Sequence, residues 1–276
     1  MAHTQKSKIF FAAKPKKKKG FVGYDILGNI AIVKFPKGEK AKQKKQFAKK
    51  FLNGNKHVTT VLEKSGKFKG RLRTQRTKYL FGVKTKEALY KENNCVFRLN
   101  IDTCYFSPRL ASERKEISSM VKKGERVLVM FGGIAPFAIV IAKLSKAEEV
   151  ISVELGKECN KYAIENVKRN KLWERVKISQ GDARKIVPKL SGKFNKIVMT
   201  RPNLKDSFLD VAFKKISSKG IIHYYGFYKE DEKNKLLELI NNEAHKAKKK
   251  IKILKIKKAG EVGFKKFRWR ADFKVN

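Results

Sequence analysis

The sequence has few acidic residues, few cysteines and no long apolar run. Its 276 residues include only 25 Asp and Glu against 68 Lys and Arg, which gives a formal net charge of +43. Three cysteines (Cys95, Cys104 and Cys159) are too few for a disulfide framework and lack the close spacing of metal ligands. No stretch approaches the ~18 apolar residues that span a bilayer, and residues 1–20 lack the apolar core of a signal peptide. We therefore expect a cytoplasmic protein with no metal site and no membrane segment.

Positive charge is what the sequence has in excess, and it is unevenly distributed. Hydrophobic residues still make up 41% of the chain, so it can fill a core and does not belong to the disordered class. Residues 1–60 hold 16 Lys and two acids, and residues 245–276 hold 13 Lys and Arg and two acids, whereas residues 129–165 hold four basic residues. This distribution predicts a cofactor-binding core with a periphery that binds a polyanion, by default nucleic acid. A generally lysine-rich proteome would explain part of the same excess.

The chain divides into three segments by charge and by hydrophobic pattern. Residues 1–20, with four consecutive lysines at 16–19, are predicted to be a flexible basic arm. Residues 21–105 are predicted to form a small α+β domain that binds RNA, with a helix at 40–51 and strands at 30–35, 58–62 and 96–101. Residues 106–276 alternate helices and strands, starting with a helix from Ser107-Pro108 to about 122 and the apolar strand 126–131. Later strands are predicted at 220–227 and 250–257, among others. That alternation predicts an α/β fold with a doubly wound, largely parallel sheet.

Three features at the ends of successive strands predict a nucleoside cofactor. The run Phe131-Gly132-Gly133-Ile134-Ala135-Pro136-Phe137 puts a glycine turn between a strand and a helix. Glu154 closes the next strand, where an acid can accept hydrogen bonds from ribose hydroxyls, and Asp182 follows the third, where a carboxylate can meet the amine of an adenine. The spacing fits S-adenosylmethionine as well as a dinucleotide, although the turn lacks the full Gly-x-Gly-x-x-Gly that favours a pyrophosphate. Taken singly, the glycine pair is an ordinary tight turn and each acid an ordinary loop residue.

Four segments of the sequence resemble one enzyme family. They are 105–114 (Tyr-Phe-Ser-Pro-Arg-Leu-Ala-Ser-Glu-Arg), 130–137 (Met-Phe-Gly-Gly-Ile-Ala-Pro-Phe), 181–184 (Gly-Asp-Ala-Arg) and 220–225 (Gly-Ile-Ile-His-Tyr-Tyr). They resemble the archaeal and eukaryotic tRNA (guanine-N1)-methyltransferases that act at position 37, and segment 24–36 resembles the start of that family's second domain. The resemblance covers residues 21–276. The family's N-terminal domain is expected to be missing, with the basic arm in its place.

The resemblance implies a Rossmann-like class I methyltransferase that moves a methyl group from S-adenosylmethionine to N1 of guanine 37. It also implies the tRNA anticodon arm as partner, and we expect a monomer. Guanine N1 carries a proton, so the reaction needs a base and a cation for the charge that builds on O6. By the family pattern Glu113 is the base, Arg73 the O6 donor and Tyr105 the aromatic that packs on the flipped base or near the cofactor. The same pattern assigns cofactor binding to Phe131, Gly132, Gly133, Pro136, Glu154, Asp182 and Thr200. It assigns substrate binding to Arg109 and Pro202.

Several of these residues also have a structural explanation. Glu113 lies in an early helical turn, where the helix dipole favours acids. Arg73 has close competitors in Arg71 and Arg76, and Tyr105 fits a core position as well. His223 is expected to be a core histidine with its hydrogen bonds satisfied rather than a base.

The sequence departs from the family pattern at three places. Val129 stands where the family has an acid, Ala135 replaces the second glycine of the turn, and Thr200-Arg201-Pro202 replaces an Asn-Leu-Pro. Thr200 offers one hydroxyl instead of the donor and acceptor of an amide. Three hypotheses remain: a tRNA guanine-N1 methyltransferase, a wyosine-pathway transferase that uses the same cofactor, and an inactive tRNA-binding relative.

Overall fold

A computed structural model describes residues 22–66, 68–200 and 206–276. The basic arm predicted for residues 1–20 lies outside these ranges, as do Arg201 and the predicted substrate-binding residue Pro202. Within the described ranges, no helix is both long enough and apolar enough to cross a membrane.

The N-terminal part is a four-stranded sheet covered by one helix. Strands β1 (Gly23–Leu27), β2 (Ile30–Lys34), β3 (Thr60–Lys64) and β4 (Thr77–Gly82) pair in that order. Strands β2 and β3 are parallel and the other pairs antiparallel. Helix α1 (Ala41–Gly54) makes the parallel crossover, and its Ala48 packs in one cluster with Val33, Val58 and Val61. The predicted small α+β domain is confirmed, while its limits at 21 and 105 stay a prediction.

A two-stranded hairpin joins this part to the rest of the chain. Strands β5 (Glu87–Glu92) and β6 (Cys95–Asn100) pair antiparallel. On one side the β1–β2 turn abuts β5: Gly28 has a φ of +57°, and a Cβ there would lie 1.9 Å from the Leu89 carbonyl oxygen, so only glycine fits. On the other side the Asn166 side chain accepts from Arg98 N–H at 2.7 Å. The hairpin is therefore fixed between both parts of the chain.

The C-terminal part is a seven-stranded sheet with helices on both faces. Its strands are β7 (Arg126–Met130), β8 (Glu149–Glu154), β9 (Val176–Gln180), β10 (Phe194–Met199), β11 (Ile216–Lys229), β12 (Ile251–Gly263) and β13 (Lys266–Val275). Its helices are α2 (Ala111–Ser119), α3 (Pro136–Leu144), α4 (Lys157–Arg169), α5 (Ala183–Ile186), α6 (Leu209–Lys215) and α7 (Lys233–Lys246), with 3₁₀ turns at Pro108–Leu110 and Val187–Lys189. The spatial order is β9-β8-β7-β10-β11-β13-β12. Strands β7 to β11 are parallel, and β13 is antiparallel to both of its neighbours.

The central strands are apolar without interruption because helices cover both faces of the sheet. In β7, Val127 and Val129 belong to the core cluster that contains α3 and α4. Leu128 and Met130 belong to the cluster that contains α6 and α7. Successive side chains of a strand point to opposite faces, so the two clusters lie on the two sides of the sheet. The predicted doubly wound α/β sheet is confirmed.

The structure differs from the sequence-based expectation mainly at one edge of this sheet. Strand β13 inserts antiparallel between β11 and β12, an order that the alternation of helices and strands did not reveal. Strands β11 and β12 are also longer than predicted, because β13 pairs with both along most of its length. The helix predicted from 107 to 122 begins as a 3₁₀ turn and ends at Ser119. Register and strand order are long-range properties that local periodicity does not encode.

Candidate active site

Two adjoining cavities open where the two parts of the chain meet. The larger one, called the cleft, has a volume of about 670 Å³ and lies between β1, segment 101–109 and the β12–β13 turn. The smaller one, called the inner pocket, has a volume of about 90 Å³ and lies at the carboxyl ends of β7, β8 and β10. Ligands of open α/β sheets bind at this end of the strands. The residues that line both cavities form the junction between them: Arg73, Tyr105, Phe106, Ser107 and Arg268.

The inner pocket is built on the glycine turn after β7. Gly132 permits close contact with the next strand, because a Cβ there would lie 2.0 Å from Ser152 Oγ. Phe131, Gly133 and Ala135 have φ values of +63°, +57° and +63°, so the turn holds three residues in left-handed backbone. Backbone held in such sparsely populated conformations clusters at ligand sites. Pro136 then starts α3 with a preset φ.

Six of the residues predicted to bind the cofactor line the inner pocket: Phe131, Gly132, Gly133, Pro136, Glu154 and Thr200. Glu154 Oε2 accepts from Gly133 N–H at 2.9 Å, and its Oε1 accepts from Gly156 N–H at 2.7 Å. Both oxygens keep lone pairs for further donors such as ribose hydroxyls. The Thr200 hydroxyl donates to the Phe131 carbonyl at 2.9 Å. Thr200 therefore ties β10 to the glycine turn and offers the pocket only an acceptor.

Asp182, the remaining residue of that predicted set, is outside the lining of the inner pocket. Its carboxylate caps α5 by accepting from Arg184 N–H at 2.9 Å, and it pairs with the Arg71 guanidinium at 2.9 Å. Partial burial opposes its ionisation, but these donors outweigh the burial and lower the pKa of Asp182.

A loop of the N-terminal part, residues 70–74, lies over the inner pocket. Arg71 and Leu72 line the pocket, and Arg71 holds the loop to Asp182. The enclosed volume of about 90 Å³ is well below the ~300–1,000 Å³ of common ligand sites. A ligand of nucleoside size therefore extends beyond this pocket, towards loop 70–74 or into the adjoining cleft.

Arg73 and Tyr105 are stacked at the junction. The central carbon of the Arg73 guanidinium lies 3.9 Å from the centre of the Tyr105 ring, and Phe68 packs edge-on against that ring at 5.1 Å. Arg73 has a φ of +54°, in a turn that its N–H closes onto the Gly70 carbonyl at 3.1 Å. Arg71 lines only the inner pocket, and Arg76 lines neither cavity. Of the three candidate arginines, Arg73 is the one at the junction.

Glu113 lies apart from the junction, inside a buried ion network. Its carboxylate accepts from Arg270 Nη1 at 2.6 Å, Lys257 Nζ at 2.8 Å and the Tyr225 hydroxyl at 3.0 Å. Burial raises the pKa of Tyr225 well above its usual value, so its hydroxyl remains a donor to Glu113. Glu113 lines neither cavity. The general-base role of Glu113 therefore stays a prediction.

The cleft is lined by basic and aromatic side chains. Its charged lining consists of Lys64, Arg73, Arg109, Lys266 and Arg268 against two acids, Asp25 and Glu261. Arg109, predicted to bind substrate, pairs with Asp25 at 3.3 Å, and both side chains are largely exposed. Excess positive charge beside aromatic rings is typical of surfaces that bind single-stranded nucleic acid.

Two arginines at the site were missed in the sequence. Arg114 is buried, lines the inner pocket, and forms a two-point ion pair with Glu92 of the linking hairpin. Its position beside Glu113 in the family segment was a signal that could have found it. Arg268 is buried and lines both cavities. No local signal distinguishes it, because it lies in a run of basic residues.

His223 is a core residue, as the sequence analysis expected. It is fully buried, and its Nδ1 lies 2.7 Å from Asp272 Oδ1. Burial lowers the pKa of His223, although the Asp272 carboxylate opposes the shift. Its Nε2 has no hydrogen-bond partner among the described residues, so its hydrogen bonding is only half satisfied.

Residues 88–254 match a family model described as the TRM5/TYW2 methyltransferase domain. The chain belongs to the TRM5/TYW2 methyltransferase family. Residues 14–85 match a second model, described as the TYW2 N-terminal domain. This match corrects the expectation that an N-terminal domain of the TRM5/TYW2 family is missing, because it assigns the first third of the chain to one.

Known members of the TRM5/TYW2 family match most of the chain. A Pyrococcus abyssi protein named tRNA (guanine(37)-N(1))-methyltransferase Trm5b is 35% identical, over 92% of this chain and 74% of the relative. A Nanoarchaeum equitans protein named tRNA (guanine(37)-N(1))/4-demethylwyosine(37)-methyltransferase Taw22 is 30% identical, over 91% of this chain and 99% of the relative. The crystal structure of wild-type Trm5b from Pyrococcus abyssi superposes with a TM-score of 0.81 at 33% identity, over 92% of this chain and 74% of that one. The predicted methyltransferase fold is thereby confirmed.

Proposed function

We propose that the chain transfers a methyl group from S-adenosylmethionine to N1 of guanine at position 37 of tRNA. The junction carries this proposal: a pocket at the carboxyl ends of the strands meets a basic, aromatic cleft at Arg73 and Tyr105. A methyl donor in the inner pocket and a purine in the cleft face each other there. The names of the Pyrococcus abyssi and Nanoarchaeum equitans relatives support the same reaction.

The residues of the inner pocket fit an adenosyl cofactor. S-adenosylmethionine, when bound, supplies an electrophilic methyl group on a sulfonium. Glu154 accepts hydrogen bonds from the ribose hydroxyls, and Gly132 and Gly133 line the pocket beside it. Asp182 meets the adenine only after Arg71 releases it, because the two are paired at 2.9 Å. Cofactor binding therefore includes an opening of loop 70–74.

The target base enters the cleft flipped out of its stack, because N1 is otherwise out of reach. Tyr105 supplies a ring surface for the flipped base, and Arg73 donates to O6, where negative charge develops as N1 loses its proton. By the family pattern Glu113 takes that proton, which requires its side chain to reach the junction from the network of Arg270, Lys257 and Tyr225. Arg109 and Pro202 contact the tRNA around the base.

The charge distribution supports the tRNA anticodon arm as the macromolecular partner. Basic side chains outnumber acids in the cleft, and the whole chain carries a formal charge of +43. Each phosphate that a cation neutralises releases counterions, so tRNA affinity is expected to fall steeply with salt. We place the anticodon arm over the cleft of a monomeric, cytoplasmic enzyme.

A wyosine-pathway transferase is the second candidate, because the cleft has room for more than a guanine. Its volume of about 670 Å³ lies within the ~300–1,000 Å³ that holds drug-sized ligands. A tricyclic base made from guanine 37 is larger than guanine and equally flat. The name of the Nanoarchaeum equitans relative includes both methylations. Transfer of the aminocarboxypropyl group of the same cofactor is a further reaction of this class.

One assay separates these activities. The purified chain is incubated with methyl-labelled S-adenosylmethionine and one of three substrates: tRNA transcripts with guanine or adenine at position 37, or tRNA that carries 4-demethylwyosine there. The nucleosides are then analysed by mass spectrometry. We expect 1-methylguanosine from the guanine transcript alone. Product only from tRNA that carries 4-demethylwyosine would favour the second candidate. Tight tRNA binding without product from any substrate would indicate an inactive relative and overturn the proposal.

A further inference from the structure

Arg268 is a buried arginine with an unused donor at the junction of the two cavities. It lies on β13, is only 6% exposed, and lines both the cleft and the inner pocket. Its Nε has no hydrogen-bond partner among the residues that the structure describes. The Phe227 ring packs against its guanidinium, with 5.3 Å between the central carbon and the ring centre. Arg270 Nε also lacks a hydrogen bond, but it lies 3.0 Å from the Asp272 carboxylate, whereas no carboxylate of the described chain pairs with Arg268. Buried donors in proteins are nearly always paired, so the Arg268 donor points to an acceptor from outside the chain.

The electrostatic surroundings of Arg268 are unfavourable for a cation. Burial lowers the pKa of Arg268, Arg73 across the junction lowers it further, and Tyr105 opposes the shift only in part. No carboxylate pairs with Arg268 within ranges 22–66, 68–200 and 206–276. A buried cation without a counter-charge is destabilising, and such cost is typical of functional sites. Two guanidinium groups that converge on one cavity create a site for an electron-rich ligand.

We propose that Arg268 recognises the 6-oxo edge of the target purine by donating to its O6 and N7. This inference rests on the proposed function, which places that base in the cleft. The two parallel N–H donors of the guanidinium match the two acceptors O6 and N7 of guanine. Adenine presents an amine donor in place of O6. An adenine would leave the buried Nε donor of Arg268 unpaired, so Arg268 selects a 6-oxopurine. As N1 is deprotonated, Arg268 shares with Arg73 the charge that develops on O6.

A phosphate of the flipped nucleotide is the competing acceptor, because arginine binds phosphate with the same two N–H donors. The two acceptors have different signatures. A phosphate contact is indifferent to the base and contributes to the salt dependence of binding. A contact to the base edge depends on the identity of the base and leaves the salt dependence unchanged.

Binding of anticodon stem-loops with guanine or adenine at position 37 tests the proposal, at several salt concentrations and without cofactor. Arg268→Met keeps roughly the volume of the side chain but removes its N–H donors and its charge. Arg169→Met is the matched control, because it removes the same charge from an exposed position on α4 that lines neither cavity. We expect the wild type and the control to prefer guanine, and Arg268→Met to lose about tenfold of that preference.

Two outcomes of this binding experiment would overturn the proposal. One is that the wild type shows no preference for guanine over adenine, or that Arg268→Met keeps the full preference of the wild type. The other is an equal loss of affinity for both stem-loops with a salt slope smaller by about one, which would assign Arg268 to a phosphate. Because the readout is binding, a wild type that makes no 1-methylguanosine would count against the proposed function and not against this assignment.

Thermal unfolding and kinetics separate a role at the base from a structural role. Removing an unpaired buried charge should not destabilise the fold, so we expect the midpoint of Arg268→Met at or above that of the wild type. Turnover is expected to fall about a hundredfold, as for the loss of one donor to a developing oxyanion. Arg268→Lys keeps the charge without the two parallel N–H donors and should restore only part of the turnover. A midpoint that falls together with the preference for guanine would make Arg268 a structural residue.

Discussion

Arg268 and Arg270 lie two residues apart on β13, and their surroundings are opposite. Arg270 is fully buried and pairs with Glu113 at 2.6 Å, Glu116 at 2.7 Å and Asp272 at 3.0 Å. Arg268 is nearly as buried, but it faces the junction of the two cavities and has no acidic partner in the described chain. Where the charge is neutralised within the chain, the arginine holds elements together. Where no acidic side chain neutralises the guanidinium charge, the arginine is available to bind a ligand.

The ion network around Arg270 connects three elements at the edge of the sheet. Glu113 and Glu116 come from α2, Lys255 and Lys257 from β12, and Arg270 from β13. Burial opposes the charge of Arg270, but Glu116, Asp272 and Glu113 outweigh it and raise the pKa of Arg270. The network thus fixes α2, which follows the segment that carries Tyr105, to the long β12–β13 pair.

The largest effect on stability is expected from Arg270→Met. The change leaves three carboxylates without the cation that they share, and breaking a buried pair from one side costs about 3–5 kcal/mol. Urea unfolding measures this loss as a lower midpoint with an unchanged slope. Arg268→Met is the matched control, because it removes the same side chain two positions away and should leave the midpoint at or above that of the wild type. Equal midpoints for the two variants would remove the distinction between the two arginines.

Glu113→Gln tests whether the network also takes part in the reaction. Glutamine keeps the shape of the side chain but removes the charge that Arg270 and Lys257 share, so stability is expected to fall by about 1–3 kcal/mol. If Glu113 is the base, turnover falls about a hundredfold or more, while tRNA affinity is unchanged. Single-turnover assays on folded protein measure this. Glu116→Gln is the control, and an equal loss of turnover in both variants would leave Glu113 with a structural role only.

Acid is expected to weaken the Arg270 network and leave the surroundings of Arg268 unaffected. Partial burial opposes the ionisation of Glu116, but Arg270, Lys257 and Lys255 outweigh it and lower the pKa of Glu116 from 4.5 to about 2. A carboxylate whose pKa is lowered by folding stabilises the fold above its unfolded pKa, and this contribution is lost as the pH falls from about 4.5 to about 2. The thermal midpoint should therefore drop less across this window in Glu116→Gln than in the wild type. An equal drop would show that Glu116 does not carry the acid sensitivity.

The smallest effect on stability is expected from Arg71→Ala, which extends the comparison to an exposed arginine. The Arg71–Asp182 pair is partly exposed, with side-chain exposures of 46% and 25%. Its loss should change stability by less than about 1 kcal/mol. Affinity for S-adenosylmethionine should instead rise, because the change frees Asp182 and loosens loop 70–74. Calorimetric titration measures this affinity, and a weaker affinity would mean that Arg71 itself contacts the cofactor.

The inner pocket could be predicted from the sequence because its determinants are local. The glycine turn follows one strand that hydrophobic periodicity marks, Glu154 closes the next, and parallel strands bring their carboxyl ends to one edge. Thr200 was assigned only by the family pattern. The surroundings of Asp182 could not be predicted in this way, because its partner Arg71 is 111 positions away in the sequence. Glu113 is a similar case, since Arg270 lies 157 positions away.

The position of Arg268 depends on the topology of the sheet. It reaches the junction only because β13 inserts between β11 and β12. In a chain with 68 Lys and Arg, one more arginine in a basic run carries no signal of its own. Its lack of an acidic partner, which distinguishes it from Arg270, is visible only once the strands are paired.

The excess of lysine also matters at strand β12. It forms one outer edge of the seven-stranded sheet, where unpaired backbone groups can template pairing with another chain. Four lysines lie along this edge, at positions 252, 255, 257 and 258, and the register of β12 with β13 shifts at three places. Lysines and bulges on an edge strand both hinder edge-to-edge pairing. The excess of lysine therefore also protects the folded chain against aggregation at this edge of the sheet.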